Sequence, residues 1–69
     1  MQDFALEGRE YIQLNDLLKI TGLCNSGGQA KQLIDQGLVK VDGVVETRKR
    51  CKVRSGQRVE FSGEQVNVI

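Results

Sequence analysis

The sequence predicts an α+β domain in which two short helices pack on one face of a small, mostly antiparallel sheet. Two observations support this fold class. Apolar residues recur at helical spacing from residue 14 to residue 34, whereas after Gly37 they alternate with polar residues and are interrupted by short turns. A chain of 69 residues is long enough for one domain with a small core. We therefore expect residues 1–69 to form a single domain.

A short strand and a first helix are expected near the N-terminus. Phe4 and Leu6 alternate with their neighbours before Gly8, which indicates a strand. Tyr11 and Ile12 then lead into a helix covering about residues 14 to 21, and Gly22 supplies a left-handed stop. The buried face of this helix consists of leucines: Leu14, Leu17 and Leu18.

A second helix is expected to begin at Ser26 and to end at Gly37. The Ser26 hydroxyl can accept a hydrogen bond from the Gln29 N–H while the Gln29 side chain reaches back, which is a capping box. The buried stripe of the helix is expected to be Ala30, Leu33 and Ile34.

The rest of the chain is expected to form short strands joined by tight turns. Asp42-Gly43 is the strongest short-range signal for a hairpin, with Val39 to Val41 before it and a returning strand through Val44, Val45 and Thr47. Val39 and Val41 point to one side and Lys40 to the other. Two further turns and two further strands complete the sheet: Ser55-Gly56-Gln57, Arg58 to Phe61, Ser62-Gly63-Glu64 and residues 66–69.

Composition argues against several classes of function. The chain has no histidine and only two cysteines, so we expect no metal site, no cofactor, no catalytic residue and no enzymatic activity. Cys24 and Cys51 are expected to be reduced and mostly buried, with a disulfide as the less favoured alternative. The sequence shows neither a long apolar run nor a signal peptide, so we expect a cytoplasmic protein.

Positive charge is concentrated in one segment although the formal net charge is only +1. Six basic residues and no acid lie between Thr47 and Val59: Arg48, Lys49, Arg50, Lys52, Arg54 and Arg58. Apolar residues interleave with these charges, which favours a structured basic surface over a disordered tail. Residues 48–50 either alternate across a strand or form a bulged loop. We interpret the segment as a nucleic-acid contact, the alternative being a solvated surface.

The start of the second helix carries two glycines, Gly27 and Gly28, which cost about 1 kcal/mol each relative to alanine in a helix. Either they allow close packing against a strand, or their bare backbone lets a phosphate approach the unpaired N–H groups. Lys31, one turn further on, can then contact the same anion. No P-loop motif is present, so nucleotide hydrolysis is not indicated.

The spacing of apolar residues, glycines and turn residues between Ile12 and Phe61 resembles that of a known protein family. The matching positions are Leu14, Leu17, Leu18, Gly22, Ser26, Ala30, Leu33, Ile34, Gly37, Val39, Val41, Asp42, Gly43, Val53, Gly56 and Val59. With them the chain closely resembles the S-four-type RNA-binding domain of a small-subunit ribosomal protein and other ribosome-linked proteins. It looks most like the small, stand-alone, ribosome-associated YbcJ-like proteins. The residue after the serine is commonly arginine in the family, whereas this chain has Gly27.

The resemblance implies a protein that binds structured RNA, ribosomal RNA above all. We expect it to be a non-catalytic monomer, with the ribosome or its assembly intermediates as further candidate partners and no membrane partner. Structured RNA also fits the residues better than a single strand, because the aromatic residues are too few for a stacking platform. The expected RNA contacts are Ser26, Gly27, Gly28, Gln29, Lys31, Lys40, Arg48, Lys49, Arg50, Lys52 and Arg54. The alternative is a ribosome-associated protein-interaction adaptor that uses the hairpin edge or the acidic N-terminal face.

Overall fold

The computed structural model describes residues 2–69 and confirms the α+β architecture. Its elements, in chain order, are β1 (Gln2–Phe4), β2 (Ile12–Gln13), α1 (Leu14–Ile20), α2 (Gly27–Asp35), β3 (Val39–Val41), β4 (Val44–Val45), β5 (Lys52–Val53), β6 (Arg58–Phe61) and β7 (Glu64–Val68). Neither α1 nor α2 is long and apolar enough to cross a membrane.

The main sheet has five strands in the order β1, β7, β6, β3, β4. Three of its four pairings are antiparallel, and β1 lies parallel to β7. Asp42 and Gly43 join β3 to β4 with φ of 53° and 80°, the left-handed pair that a primed turn requires. Ser62 and Gly63 join β6 to β7 in the same way, with φ of 53° and 79°.

Three strands have boundaries that differ from the sequence-based expectation. The last strand runs from Glu64 to Val68 instead of over residues 66–69, because Ser62 and Gly63 alone form the turn before it. The first strand ends at Phe4 instead of continuing through Leu6, because the chain turns at Glu7 and Gly8, where φ is positive. The strand returning from the Asp42-Gly43 turn ends at Val45 and does not include Thr47. The Glu46 N–H still donates to the Val39 carbonyl at 3.0 Å, after which the chain leaves the sheet.

A separate two-stranded ribbon, formed by β2 and β5, was not expected from the sequence. Ile12 lies opposite Val53, and Gln13 lies opposite Lys52. Ile12 and Val53 are buried, so one face of the ribbon belongs to the core and the other faces solvent. The ribbon thereby pairs residues 12–13, which precede α1, with residues 52–53 of the basic segment.

The core lies between the helices and the sheet. The three leucines of α1 are fully buried, as are Ala30 and Ile34 of α2, whereas Leu33 is half-buried. The sheet contributes valines to the same core: Val39, Val41, Val59, Val66 and Val68. Phe4 and Phe61 pack against this core. The helix pair and the sheet are thus held together by aliphatic side chains.

Both cysteines are free thiols in the structure. Cys24 is buried in the core, and burial raises the pKa of its thiol. Cys51 is half-buried within the basic segment, where burial and the nearby Glu46 carboxylate raise the pKa of its thiol. Both groups therefore favour the neutral thiol.

Candidate nucleic-acid interface

Helix α2 begins with the cap that the sequence predicts. The Ser26 hydroxyl oxygen accepts a hydrogen bond from the Gln29 N–H at 3.2 Å. The Gln29 side chain reaches back, but its Oε1 accepts from the Asn25 N–H at 2.7 Å instead of from the N–H of the capping residue. The cap therefore fixes both the helix start and the residue preceding it.

The two glycines that follow this cap have open space around them. A Cβ at Gly27 would meet no atom within 4 Å, and at Gly28 it would meet only the Ser26 hydroxyl oxygen at 3.9 Å. The interpretation that the glycines allow close packing is therefore wrong. The backbone N–H groups of Gly27 and Gly28 have no acceptor among residues 2–69, so the positive end of the helix is free to bind an anion.

Residues 46–51, which we call the basic loop, form an irregular segment between β4 and β5. Of the two conformations considered for residues 48–50, the loop is therefore the one observed. Its backbone docks onto the start of α1, where the Leu14 N–H donates to the Cys51 carbonyl at 2.9 Å and the Asn15 N–H donates to the Lys49 carbonyl at 3.0 Å. No side chain among the described residues caps helix α1, and the carbonyls of the basic loop satisfy its first N–H groups instead.

Glu46 fixes Arg48 within the basic loop. The Nε and Nη2 atoms of Arg48 each donate to the Glu46 carboxylate at 3.0 Å, and the Arg48 backbone N–H donates to the same group at 3.0 Å. These hydrogen bonds lower the pKa of Glu46 to about 2. Sequence reasoning missed this residue because Glu46 immediately precedes the acid-free stretch. Its position two residues before Arg48 is the signal that could have revealed it.

A groove of about 500 Å³ separates α2 from the basic loop. Its lining consists of Lys31, Gln32 and Asp35 from α2 and of Thr47, Arg48, Lys49 and Arg50 from the loop. Four of these seven residues are basic and one is acidic, so the groove favours an anionic ligand. We call this the basic groove. It brings Lys31 together with three basic residues that lie at least 17 positions later in the sequence.

A second cleft, of about 400 Å³, continues the basic surface toward the ribbon. It is lined by Arg48, Arg50, Cys51 and Lys52, and its two arginines also line the basic groove. Beyond it, the Lys52 ammonium and the Arg54 guanidinium lie over the ring of Tyr11. Among residues 2–69, neither Lys52 nor Arg54 forms an ion pair.

The remaining expected contacts do not line the basic groove. Lys40 projects from the exposed face of β3 into a shallow depression on the main sheet that also includes Glu60 and Glu64. Ser26, Gly28 and Gln29 lie at the start of α2, outside the groove lining. Gly27 is four residues before Lys31, so these two lie on the same side of the helix. The start of α2 is therefore adjacent to the groove, whereas Lys40 belongs to another surface.

The fold and its sequence place the chain in a known family. The family model of the S4 domain matches residues 4–69, and the chain belongs to this family. The YbcJ protein of Escherichia coli K12 is 52% identical over 69 residues, which are 100% of this chain and 99% of that protein. The solution structure of YbcJ superposes with a TM-score of 0.78 over 100% of this chain and 87% of that one, and it is described as containing a motif involved in RNA binding.

More distant similarity extends to proteins of the translation machinery. The 30S ribosomal protein S4e of Thermoplasma acidophilum is 26% identical with a TM-score of 0.62, over 83% of this chain and 30% of that one. A tyrosine–tRNA ligase of Ralstonia nicotianae is 43% identical over 54 residues, which are 78% of this chain and 14% of the ligase. In both larger proteins the similarity is therefore confined to one part.

Proposed function

We propose that this protein is a non-catalytic RNA-binding module whose basic groove holds the phosphate backbone of structured RNA. The observation that carries the proposal is the basic groove itself, in which Lys31 of α2 faces the cations of the basic loop. Membership of the S4 domain family and the RNA-binding motif described for the YbcJ structure support RNA as the ligand.

The chemistry of the groove suits a phosphate backbone. Lys49 and Arg50 are exposed and form no ion pair within residues 2–69, so they are available to an anion. Arginine can contact a phosphate with two parallel hydrogen bonds, whereas lysine acts as a point charge. The exposed N–H groups at the start of α2 can extend this contact by one more phosphate. Folded RNA presents phosphates on a fixed surface, which a groove held by backbone hydrogen bonds can match in shape.

Ribosomal RNA is the structured RNA that we propose as the target. The structural similarity to ribosomal protein S4e supports this choice, because the shared fold occurs there in a ribosomal protein. A cytoplasmic location follows from such a target.

The salt dependence of binding tests the proposal. If Lys49 and Arg50 each neutralise one phosphate, the logarithm of the association constant falls with the logarithm of salt by about 0.7 to 0.9 per contact. Changing both residues to glutamine is expected to weaken binding to structured ribosomal RNA fragments and to flatten the slope by about 1.4 to 1.8.

Lys19→Gln is the matched control, since Lys19 lies in the last turn of α1, at the end opposite the docked loop. This variant is expected to keep the wild-type slope. An unchanged slope and affinity after Lys49→Gln and Arg50→Gln would remove the basic groove from the interface.

A protein-interaction adaptor is the second candidate function, and one observation favours it. Leu38, Val44 and Val45 are 51%, 68% and 49% exposed, and the two valines form the edge strand β4. An apolar sheet edge of this kind can pair with a partner protein. Binding to ribosomes that is insensitive to salt and lost in Val44→Lys would favour the adaptor over the RNA-binding module.

A further inference from the structure

The solvent-facing side of the β2–β5 ribbon combines the only tyrosine of the chain with two cations. Ile12 lies opposite Val53 and Gln13 opposite Lys52, so continuing this register places Tyr11 opposite Arg54. Because side chains alternate along a strand, Tyr11 and Arg54 lie on the face that also carries Gln13 and Lys52. The buried Ile12 and Val53 occupy the other face.

The distances confirm this arrangement around the ring. The Lys52 Nζ atom lies 5.0 Å from the centroid of the Tyr11 ring, and the Arg54 Cζ atom lies 5.8 Å from it. Both distances are within the range of a cation–π interaction. Tyr11 itself is half-buried, so its ring is anchored on the ribbon while part of its surface remains in contact with solvent.

We propose that Tyr11, Lys52 and Arg54 form a second RNA contact that takes an unpaired nucleobase, with the base stacked against the aromatic and guanidinium groups and its flanking phosphates beside the two cations. A base presents a flat π face that stacks on tyrosine or on an arginine side chain. Lys52 and Arg54 have no carboxylate partner within residues 2–69, so a phosphate meets no competing acid on these side chains.

The position of this ribbon contact relative to the basic groove explains which RNA it fits. Arg48 and Arg50 line both the groove and the adjoining cleft, and Lys52 lines that cleft and also lies over Tyr11. A continuous cationic surface therefore runs from the groove to the tyrosine ring. An RNA whose paired region occupies the groove can place a neighbouring unpaired nucleotide on Tyr11. The ribbon contact thus rests on the proposed function and adds recognition of a junction between paired and unpaired RNA.

The composition of the chain provides a direct reporter for this contact. Tyr11 is the only tyrosine and there is no tryptophan, so the intrinsic tyrosine fluorescence of the protein comes from the proposed site alone. The probes are a blunt RNA duplex and the same duplex with a single-stranded oligoadenosine overhang. The overhang duplex is expected to quench the emission of the wild-type protein at saturation, after correction for absorption by the RNA, whereas the blunt duplex leaves most of it unchanged. Unchanged emission with the overhang duplex bound would overturn the ribbon contact.

Two substitutions of the same residue separate stacking from folding. Tyr11→Leu removes the ring and is expected to weaken binding of the overhang duplex roughly tenfold while leaving the blunt duplex unaffected. Tyr11→Phe keeps the ring and is expected to retain wild-type affinity for both RNAs. Thermal unfolding of each variant checks that the domain remains folded. Equal affinity of Tyr11→Leu and wild-type protein for the overhang duplex would overturn the ribbon contact.

The groove variant distinguishes failure of this inference from failure of the proposed function. Lys49→Gln combined with Arg50→Gln is expected to weaken binding of both RNAs, since both RNAs occupy the basic groove. If this variant binds both RNAs more weakly and Tyr11→Leu binds both as wild type does, the basic groove is supported as the RNA site and the ribbon contact is wrong. If wild-type protein binds neither RNA, the RNA-binding function and the ribbon contact are both wrong.

Discussion

Individual contacts determine which of the basic side chains are free to bind an anion. Arg48 and Arg50 are two positions apart in the same loop, yet within residues 2–69 only Arg48 is held by an acid, Glu46, through two side-chain hydrogen bonds of 3.0 Å. The Arg48 side chain is still 76% exposed, so the ion pair orients the guanidinium without removing it from solvent. Counting basic residues in the sequence cannot distinguish such a fixed cation from a free one.

The Glu46 carboxylate gives a pH-dependent contribution to stability. Its pKa in the folded protein is about 2, compared with 4.5 as its ordinary value. A carboxyl group with a lowered folded pKa stabilises the fold above its unfolded pKa, and this contribution is lost as the pH falls from about 4.5 toward 2. We expect Glu46→Gln to lower the melting temperature at neutral pH by no more than a few degrees, because Arg48 is exposed and solvent screens the pair. The difference in melting temperature between Glu46→Gln and wild type is expected to vanish as the pH approaches about 2.

Thermal melts of both proteins across this pH range measure the effect. Glu10→Gln is the matched control, because Glu10 is exposed and forms no ion pair within residues 2–69. If the difference between Glu46→Gln and wild type stayed constant down to the lowest pH, the ion pair would not be its cause.

At the scale of elements, the two helices begin in different ways. The first N–H groups of α1 are satisfied by carbonyls of the basic loop, which holds that loop in place. The first N–H groups of α2, at Gly27 and Gly28, have no acceptor within residues 2–69. One helix start therefore has a structural role, and the other is left available for a ligand.

Gly27→Ala tests the start of α2. Alanine has the higher helix propensity and its Cβ meets no atom within 4 Å, so the free energy of unfolding is expected to rise by up to about 1 kcal/mol. The added methyl group is expected to weaken RNA binding by hindering the approach of a phosphate. Lys31→Gln is expected to weaken binding of the same RNA without changing stability. The effects of the two substitutions on affinity are expected to be non-additive because both act on one phosphate.

Chemical unfolding and affinity at fixed salt, measured on the single and double variants, decide this prediction. A stabilised Gly27→Ala protein with wild-type affinity would remove the helix start from the interface. A destabilised protein whose folded fraction binds normally would contradict the proposal that a phosphate binds at this helix start.

Elements specified by neighbouring residues were predictable from the sequence. The α2 cap depends on Ser26 and Gln29, and the β3–β4 turn depends on Asp42 and Gly43. The residues that determine each element therefore lie within a few positions of one another in the sequence. The β2–β5 ribbon was not predictable in this way. Each of its strands has two residues, and what stabilises them is the pairing of Ile12 with Val53, 41 positions later, together with burial of both side chains.

The whole molecule assembles its candidate interface from segments that are distant in the sequence. Lys31 and the basic loop meet because α2 packs on α1 and the loop docks on the start of α1. Lys31 and residues 48–50, which the sequence suggests as phosphate contacts, line one groove in the structure. The sequence could not show that Lys40 lies apart from them, since that separation follows from the pairing of β3 with β6, which places Lys40 opposite Glu60.

The location of the RNA on the folded domain is the most direct test of the account. Backbone amide chemical shifts of the labelled protein, recorded during titration with a blunt RNA duplex, report this location residue by residue. We expect the largest changes at Lys31, Gln32 and residues 47–50, with little change at Lys40 and residues 62–65 on the sheet surface. Changes concentrated on the sheet surface, with the amides of the basic groove unmoved at saturation, would contradict the account.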